Sequence, residues 1–317
     1  MKTMKYLPVI GIILFVYIIW NTGIDKIIAA FLNLNIFYFS IGVVLTFVVL
    51  ILRGIKFKMV IGLHDLNESS FNAIRIWSIG LFTGMITPGR VGDFIKIFYL
   101  DKAQPLGKRL SVVIVDRIVD LVVVLSSAVI GVVLLNVWFG YTVVSLGLIS
   151  TILAAFFIAL YLLTKKNFMR KILRPVFDFF VPQKFKEKIR VDFYEFYNIF
   201  GELKNKKGSL FGVTIFNIFI WLLSILEVMF FGFALGIDFN YIFLFAVMSV
   251  MVIIELIPIS VSGIGTRDAF LLLVLPLIGV TEGVIISFSL FYLVFVYWLA
   301  AAVGLVFWIK SPIKLKL

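Results

Sequence analysis

Residues 87–96 read TPGRVGDFIK. They follow the apolar run IWSIGLFTGMI at 76–86 and lead into IFYL at 97–100. A proline, two glycines, an arginine, an aspartate and a lysine therefore interrupt what otherwise reads as a membrane segment. A second interruption, PISVSGIGTRDAF at 258–270, has the same character. Whether each region crosses the membrane or turns back within it fixes the topology of the whole chain.

The membrane reading rests on composition. Of the 317 residues, 62% are hydrophobic, against about 45–50% in soluble domains. Several windows exceed the roughly 18 apolar residues that span a bilayer. Continuous apolar spans fall at about 6–21, 36–52, 110–136, 142–164, 210–235 and 284–309. The start, MKTMKYLPVIGIILFVYIIW, has a basic head and an apolar run but no A-x-A-like cleavage site close behind it, so it reads as a retained first span. Without cysteine there is no disulfide framework and no thiolate metal site. The single histidine, His64, reads as a solvated loop residue, which leaves no histidine cluster for a metal.

Basic residues decide between the two topologies. The 165–208 stretch carries twelve Lys and Arg residues, and short cytoplasmic loops hold the Lys/Arg excess. If each interrupted region crossed once, 165–208 would lie outside. If each enters and returns, both termini, the 53–70 and 101–109 loops and 165–208 all become cytoplasmic, and only Lys26 is left outside. Re-entry is therefore expected. The second limb of the first hairpin, VGDFIKIFYLD, is also too short to span. An odd number of full spans separates the two hairpins, so they enter from opposite faces. The expected fold is all-α: a polytopic membrane protein of about six full spans plus two inverted re-entrant hairpins, forming one integral domain over 1–317. Inverted Gly/Pro-interrupted segments point to a transporter with its site at the hairpin tips.

The breaks supply candidate ligands. Pro88 and Gly89 end one helix, Gly92 permits close backbone approach, and a new helix is expected near Val91. Its free N–H groups would favour an anion, joined by Arg90 with its two-donor fork and by Lys96; Asp93 balances charge. In the second break Ser262, Gly263, Gly265, Thr266, Arg267 and Asp268 repeat the pattern.

TPGRVGDFIK resembles the P-G-x-x-G-[DE] motif of the lysylphosphatidylglycerol synthase transmembrane region, or flippase-like UPF0104, family. VDRIVDL at 115–121 is similar to that family's E-R-x-x-D-L segment, with Asp116 in place of Glu. PISVSGIGTRDAF resembles its P-x-x-x-x-G-x-G-x-R-[DE] motif, with Asp268 where Glu is usual. The three stand in order across nearly the whole chain. The resemblance implies movement of a phospholipid or glycolipid between leaflets. In the bacterial synthases this region is fused to an aminoacyl-transfer domain. Nothing in the chain matches that domain, so synthase activity is not implied.

The remaining charges divide between structural and functional readings. Arg117 is placed to pair with Asp120 on one helix while Asp116 shares their face; an ion pair locking helices together and a contact to substrate are both open for these three, and the family resemblance favours the substrate contact. Glu227, alone in LLSILEVMFF, is expected to pair with Arg75 or Arg117 or to carry a proton. Glu255 is a counter-ion for Arg267 or Arg90. The 165–208 stretch reads as an amphipathic helix held on anionic lipid at the cytoplasmic face. Positive-inside topology accounts for the net charge of +12 without nucleic acid. The expected function is lipid translocation at a midplane phosphate site shared by Arg90 and Arg267, with no cofactor and no metal. An integral enzyme acting on a lipid phosphate and a small-solute transporter are the alternatives, and a homo-oligomer is compatible with the sequence.

Overall fold

The computed structural model describes residues 32–142, 145–163, 204–256 and 263–311, together with Trp20, Asp25 and Ile28. The expected first span at 6–21, all of the 165–208 insertion except 204–208, and Pro258, Ser260 and Ser262 lie outside the described residues. What is described is helical. The elements are α1 (Ile36–Leu63), α2 (Ser70–Met85), a 3₁₀ limb (Pro88–Phe98), α3 (Leu106–Phe139), α4 (Leu146–Leu163), α5 (Lys207–Ala234), α6 (Tyr241–Leu256), α7 (Thr266–Val274) and α8 (Glu282–Lys310). Helices α1, α3, α5 and α8 are each long and apolar enough to cross a bilayer, at 28, 34, 28 and 29 residues. Their outer faces show Phe47, Ile130, Phe211 and Phe219, a surface suited to lipid rather than water.

Local chemistry sets the ends. The Asn35 side chain accepts from the Phe37 and Tyr38 amides at 3.1 and 3.4 Å to start α1. Ser69 caps α2 through the Asn72 amide at 3.1 Å. Gly140, at φ 72°, closes α3 in the left-handed region.

Contacts between helix ends establish the topology. At one end, Lys206 Nζ donates to the Leu63 carbonyl at 2.9 Å and pairs with Asp65 at 2.6 Å, joining the end of α1 to the start of α5. At the same end, Ser311 after α8 accepts from Arg75 on α2 at 3.4 Å and, through its carbonyl, from Tyr99 after the 3₁₀ limb at 2.8 Å. At the opposite end, the Asn35 amide donates to the Ala234 carbonyl at 2.9 Å, tying the start of α1 to the end of α5. Phe39 packs on Phe291, Trp138 on Phe243 and Phe239 on Phe288. The first hairpin thus enters from and returns to the first end, and the second does the same at the other. Two inverted hairpins are present, as the charge pattern requires.

Three local expectations need correction. Residues 53–63 are not loop: α1 runs on to Leu63, which carries Lys56 into the interior at 0% exposure. For the same reason His64 is buried rather than solvated. One ring nitrogen sits 2.9 Å from the Val60 carbonyl, and burial pushes its pKa down to about 4. The return limb of the first hairpin is a 3₁₀ helix from Pro88, not an α-helix from Val91. The tighter coil follows from close packing on α2. A Cβ on Gly92 would sit 2.1 Å from the Thr83 carbonyl oxygen, and one on Gly80 2.3 Å from Lys96 Cε.

Candidate functional site

The breaks bring charge to the centre of the helix assembly. The first element is an ion-pair chain. Lys56 Nζ, from α1, contacts Asp116 at 2.8 Å and Asp120 at 2.5 Å. Lys96 Nζ, from the 3₁₀ limb, contacts Asp93 at 2.8 Å and Asp116 at 3.1 Å. Arg117 reaches Asp93 with both Nε and a terminal nitrogen, each at 2.7 Å. Three cations and three carboxylates alternate, so every member has an opposite neighbour. Burial of charge at this depth is sustained by such pairing or by facing a wet cavity. Arg117 does not pair with Asp120, three residues further along α3: each turns to another element, Arg117 to the hairpin and Asp120 to α1. Lys96, fully buried, belongs to this chain rather than to an open ligand site. Lys56 belongs to it too, and no motif in the sequence pointed there.

The tip of the first hairpin is shaped by its own backbone. Arg90 has φ 56°, a left-handed conformation rare for a residue with a side chain. Thr87 holds it, its carbonyl accepting from the Arg90 amide at 3.1 Å and its hydroxyl from the Gly92 amide at 2.7 Å. These amides are therefore occupied and do not form the open anion site expected of the helix start. The Arg90 guanidinium instead lies 5.2 Å from the ring centre of Tyr297.

The second break meets the same tyrosines. Arg267 lies 5.2 Å from the Tyr292 ring, donates to Ser289 Oγ at 2.7 Å and approaches Glu255 at 3.5 Å. Asp268 accepts from the Gly265 amide at 2.7 Å and from the Ser289 hydroxyl. Tyr292 donates to Tyr297 at 3.1 Å, and Tyr297 donates to Glu255 at 2.5 Å. Residues five apart point to different sides of an α-helix, but here α8 passes through a π-helical segment, Tyr292–Trp298, which aligns the two hydroxyls. The sequence carries no signal of this segment. It links the hairpins, since Arg90 and Arg267 both pack on one tyrosine pair. Glu255 is the counter-ion of Arg267, as expected.

Beside these groups lies a cavity of about 380 Å³. Its charged lining is Arg53, Arg90, Arg117, Asp93, Asp120 and Glu227; Val49, Leu81, Phe94, Val228, Met248 and Val296 form apolar walls. Arg267 and Asp268 are fully buried and do not line it. Arg53, which sequence reasoning did not single out, does: it donates to Ser224 Oγ at 3.3 Å and lies 5.9 Å from the Trp77 ring. Glu227 is not paired with Arg75 or Arg117. Its partner is the Thr46 hydroxyl at 2.7 Å, because Arg75 lies at the basic end and Arg117 is turned to Asp93. Gly263 has φ 76° and takes the Glu255 side chain against its open face; Thr266 donates to its carbonyl at 3.3 Å. Among the described residues, no group of three or more His, Cys, Asp or Glu side chains is arranged to hold a metal ion.

Fold and site together define an α-helical integral membrane protein built on two inverted, broken hairpins around a charged interior. The chain belongs to the family described as the lysylphosphatidylglycerol synthase TM region, whose model matches residues 7–304. It is similar to UPF0104 membrane proteins of three archaea. With that of Pyrococcus horikoshii it shares 23% identity over 97% of each chain. With that of Methanocaldococcus jannaschii it shares 26% identity over 84% of this chain and 82% of the relative. With that of Methanothermobacter thermautotrophicus it shares 24% identity over 94% and 92%. No solved structure matches the chain.

Proposed function

We propose that this protein moves a phosphate-bearing lipid, a phospholipid or a glycolipid, between the leaflets of the cell membrane without altering it chemically. The headgroup phosphate enters the central cavity and is held by Arg53 and Arg90, with Arg117 beside them. The observation that carries this reading is an imbalance of charge. Asp93 and Asp120 face the cavity but are already neutralised by Lys96, Arg117 and Lys56. Arg53 and Arg90 face it with no carboxylate salt bridge among the described residues, and the one lining carboxylate outside the ion-pair chain, Glu227, offsets at most one of these two guanidinium charges. A partly buried site with surplus guanidinium charge favours an anion, and the planar fork suits phosphate. The apolar walls suit the acyl chains near the headgroup.

Arg267 then acts behind Tyr292 as a support for the site rather than as a second phosphate ligand. The basic end, with Lys58, Lys102, Lys108 and Lys310, is cytoplasmic by the positive-inside rule, which puts both termini there. Anionic headgroups at that face would hold the 165–208 insertion.

The test is reconstitution into liposomes with fluorescent lipids of several headgroups, following exchange between leaflets and the chemical state of each lipid. Exchange of phosphate-bearing lipids should accelerate. Arg90→Ala should slow it by roughly ten- to a hundredfold, the value of one charge-assisted hydrogen bond of about 1.5–3 kcal/mol, and Arg90→Lys should recover only part. Wild-type exchange by Arg90→Ala overturns the site. A chemically changed lipid makes the protein an enzyme, and solute flux without lipid exchange makes it a solute transporter.

A further inference from the structure

Of the three carboxylates that face the cavity, two are consumed by the ion-pair chain. Glu227 has no basic partner within salt-bridge distance among the described residues and is 1% exposed. Its contact is the Thr46 hydroxyl, whose oxygen lies 2.7 Å from Glu227 Oε1 and 3.2 Å from the Gly42 carbonyl. A hydroxyl has one hydrogen to donate. Turned to Glu227, it satisfies a carboxylate. Turned to Gly42, it leaves the 2.7 Å bond to be made by a hydrogen that Glu227 itself must carry. The same atom positions therefore serve both protonation states, and no rearrangement of the backbone is needed to pass between them.

We propose that Glu227 is a proton-binding site whose occupancy is linked to that of the anion site, so that a lipid phosphate and a proton are taken up together. The anion in this inference rests on the preceding functional reading; the proton site does not. The linkage is electrostatic. Thr46 and Arg53 lie two turns apart on α1, and Ser224 and Glu227 three residues apart on α5, with Arg53 bonded to Ser224 at 3.3 Å. An anion drawn to Arg53 thus arrives beside Glu227, and repulsion between two like charges in one low-dielectric cavity favours the protonated form of Glu227. A proton from cavity water adds to a Glu227 oxygen and removes the repulsion. When the anion leaves, the proton returns to water.

The other charged or titratable groups facing this space are fixed. Arg90 and Asp93 come from the first hairpin, Arg117 and Asp120 from α3, and Tyr292 and Tyr297 from α8. Helix α6 contributes the apolar Met248 and Val252. Asp93 and Asp120 are tied to cations, which leaves Glu227 as the carboxylate free to exchange a proton. A buried acid in a membrane interior is suited to that role.

Two measurements on the full chain separate this proposal from the reading it rests on. Infrared difference spectra between mildly acidic and mildly alkaline buffer need no lipid. A protonated-carboxyl C=O band should titrate in the wild type and be missing in Glu227→Gln, or in Glu227→Met if the amide is not accommodated. Identical spectra in wild type and variant overturn the proton site whatever the protein transports. Calorimetric titration of the detergent-solubilised protein with short-chain phosphatidylglycerol, in two buffers of different ionisation enthalpy, then reads protons taken up per lipid. About one is expected for the wild type and none for Glu227→Gln. A titrating Glu227 band with binding but no proton uptake overturns the linkage. A titrating band with no binding at all overturns the lipid reading and, with it, the linkage, and leaves the proton site standing.

Discussion

Asp116 is the residue on which the interior charge depends. One oxygen takes Lys56 at 2.8 Å, the other Lys96 at 3.1 Å, and all three side chains are 0% exposed. Asp116→Asn keeps the shape and removes the charge, leaving two buried ammonium groups to share Asp93 and Asp120. Loss of one partner from a buried pair costs about 3–5 kcal/mol, so a large fall in the thermal midpoint in detergent is expected. Adding Lys96→Met should restore part of it, because Lys56 with Asp120 and Arg117 with Asp93 then remain as balanced pairs. Additive losses in the double variant would show that the chain is not a single unit. At this scale the sequence named most participants: Asp93, Lys96, Asp116, Arg117 and Asp120 all fall in or near its motifs. It could not say who holds whom. Pairing of Arg117 with Asp120 was the local choice, and it lost because the hairpin brings Asp93 closer to Arg117 and α1 brings Lys56 to Asp120. Lys56 and Arg53 were missed because basic residues at the end of an apolar run read as an interfacial flank.

Small residues set how closely the hairpin limbs approach. Gly80 and Gly84 on α2 face Lys96 and Asp93, and Gly92 on the return limb lies against Thr83. Close approach of this kind is the means by which helices associate in lipid. It also places Lys96 and Asp93 within reach of α3. Gly92→Ala should therefore separate the limbs, at a cost of about 1–3 kcal/mol for overpacking, and loosen the ion-pair chain with it. Gly212→Ala, where a Cβ would meet nothing within 4 Å, should stay within about 0.5 kcal/mol. Thermal unfolding of the two variants in the same detergent checks this, and equal midpoints would mean the limbs are not packed through Gly92. The breaks at Pro88, Gly89, Gly263 and Gly265 were legible, since proline followed by glycine, and two glycines one residue apart, favour a helix end over its continuation. The 3₁₀ coil of the limb and the π-helical segment of α8 were not, because both depend on the surfaces they pack against.

Across the molecule, Lys206 on Asp65 and Tyr99 on Ser311 mark one end, and Asn35 on Ala234 the other. The native chain has no cysteine, so single introduced cysteines report sidedness cleanly. Lys102→Cys and Lys310→Cys should label from one face of the membrane, and Asp238→Cys and Glu282→Cys from the other. Labelling of Lys102→Cys and Asp238→Cys from the same face would overturn the inverted arrangement. That arrangement was determined by the sequence alone. Apolar run lengths fix which segments can cross, helix breakers fix which cannot, and the distribution of Lys and Arg fixes the parity; each is a property of composition along the chain. The cavity, its surplus of guanidinium charge, the tyrosine pair that joins the hairpins and the isolation of Glu227 were decided only by the tertiary structure. They depend on the rotation and closeness of helices far apart in sequence, and long charged side chains reach whichever neighbour that packing presents.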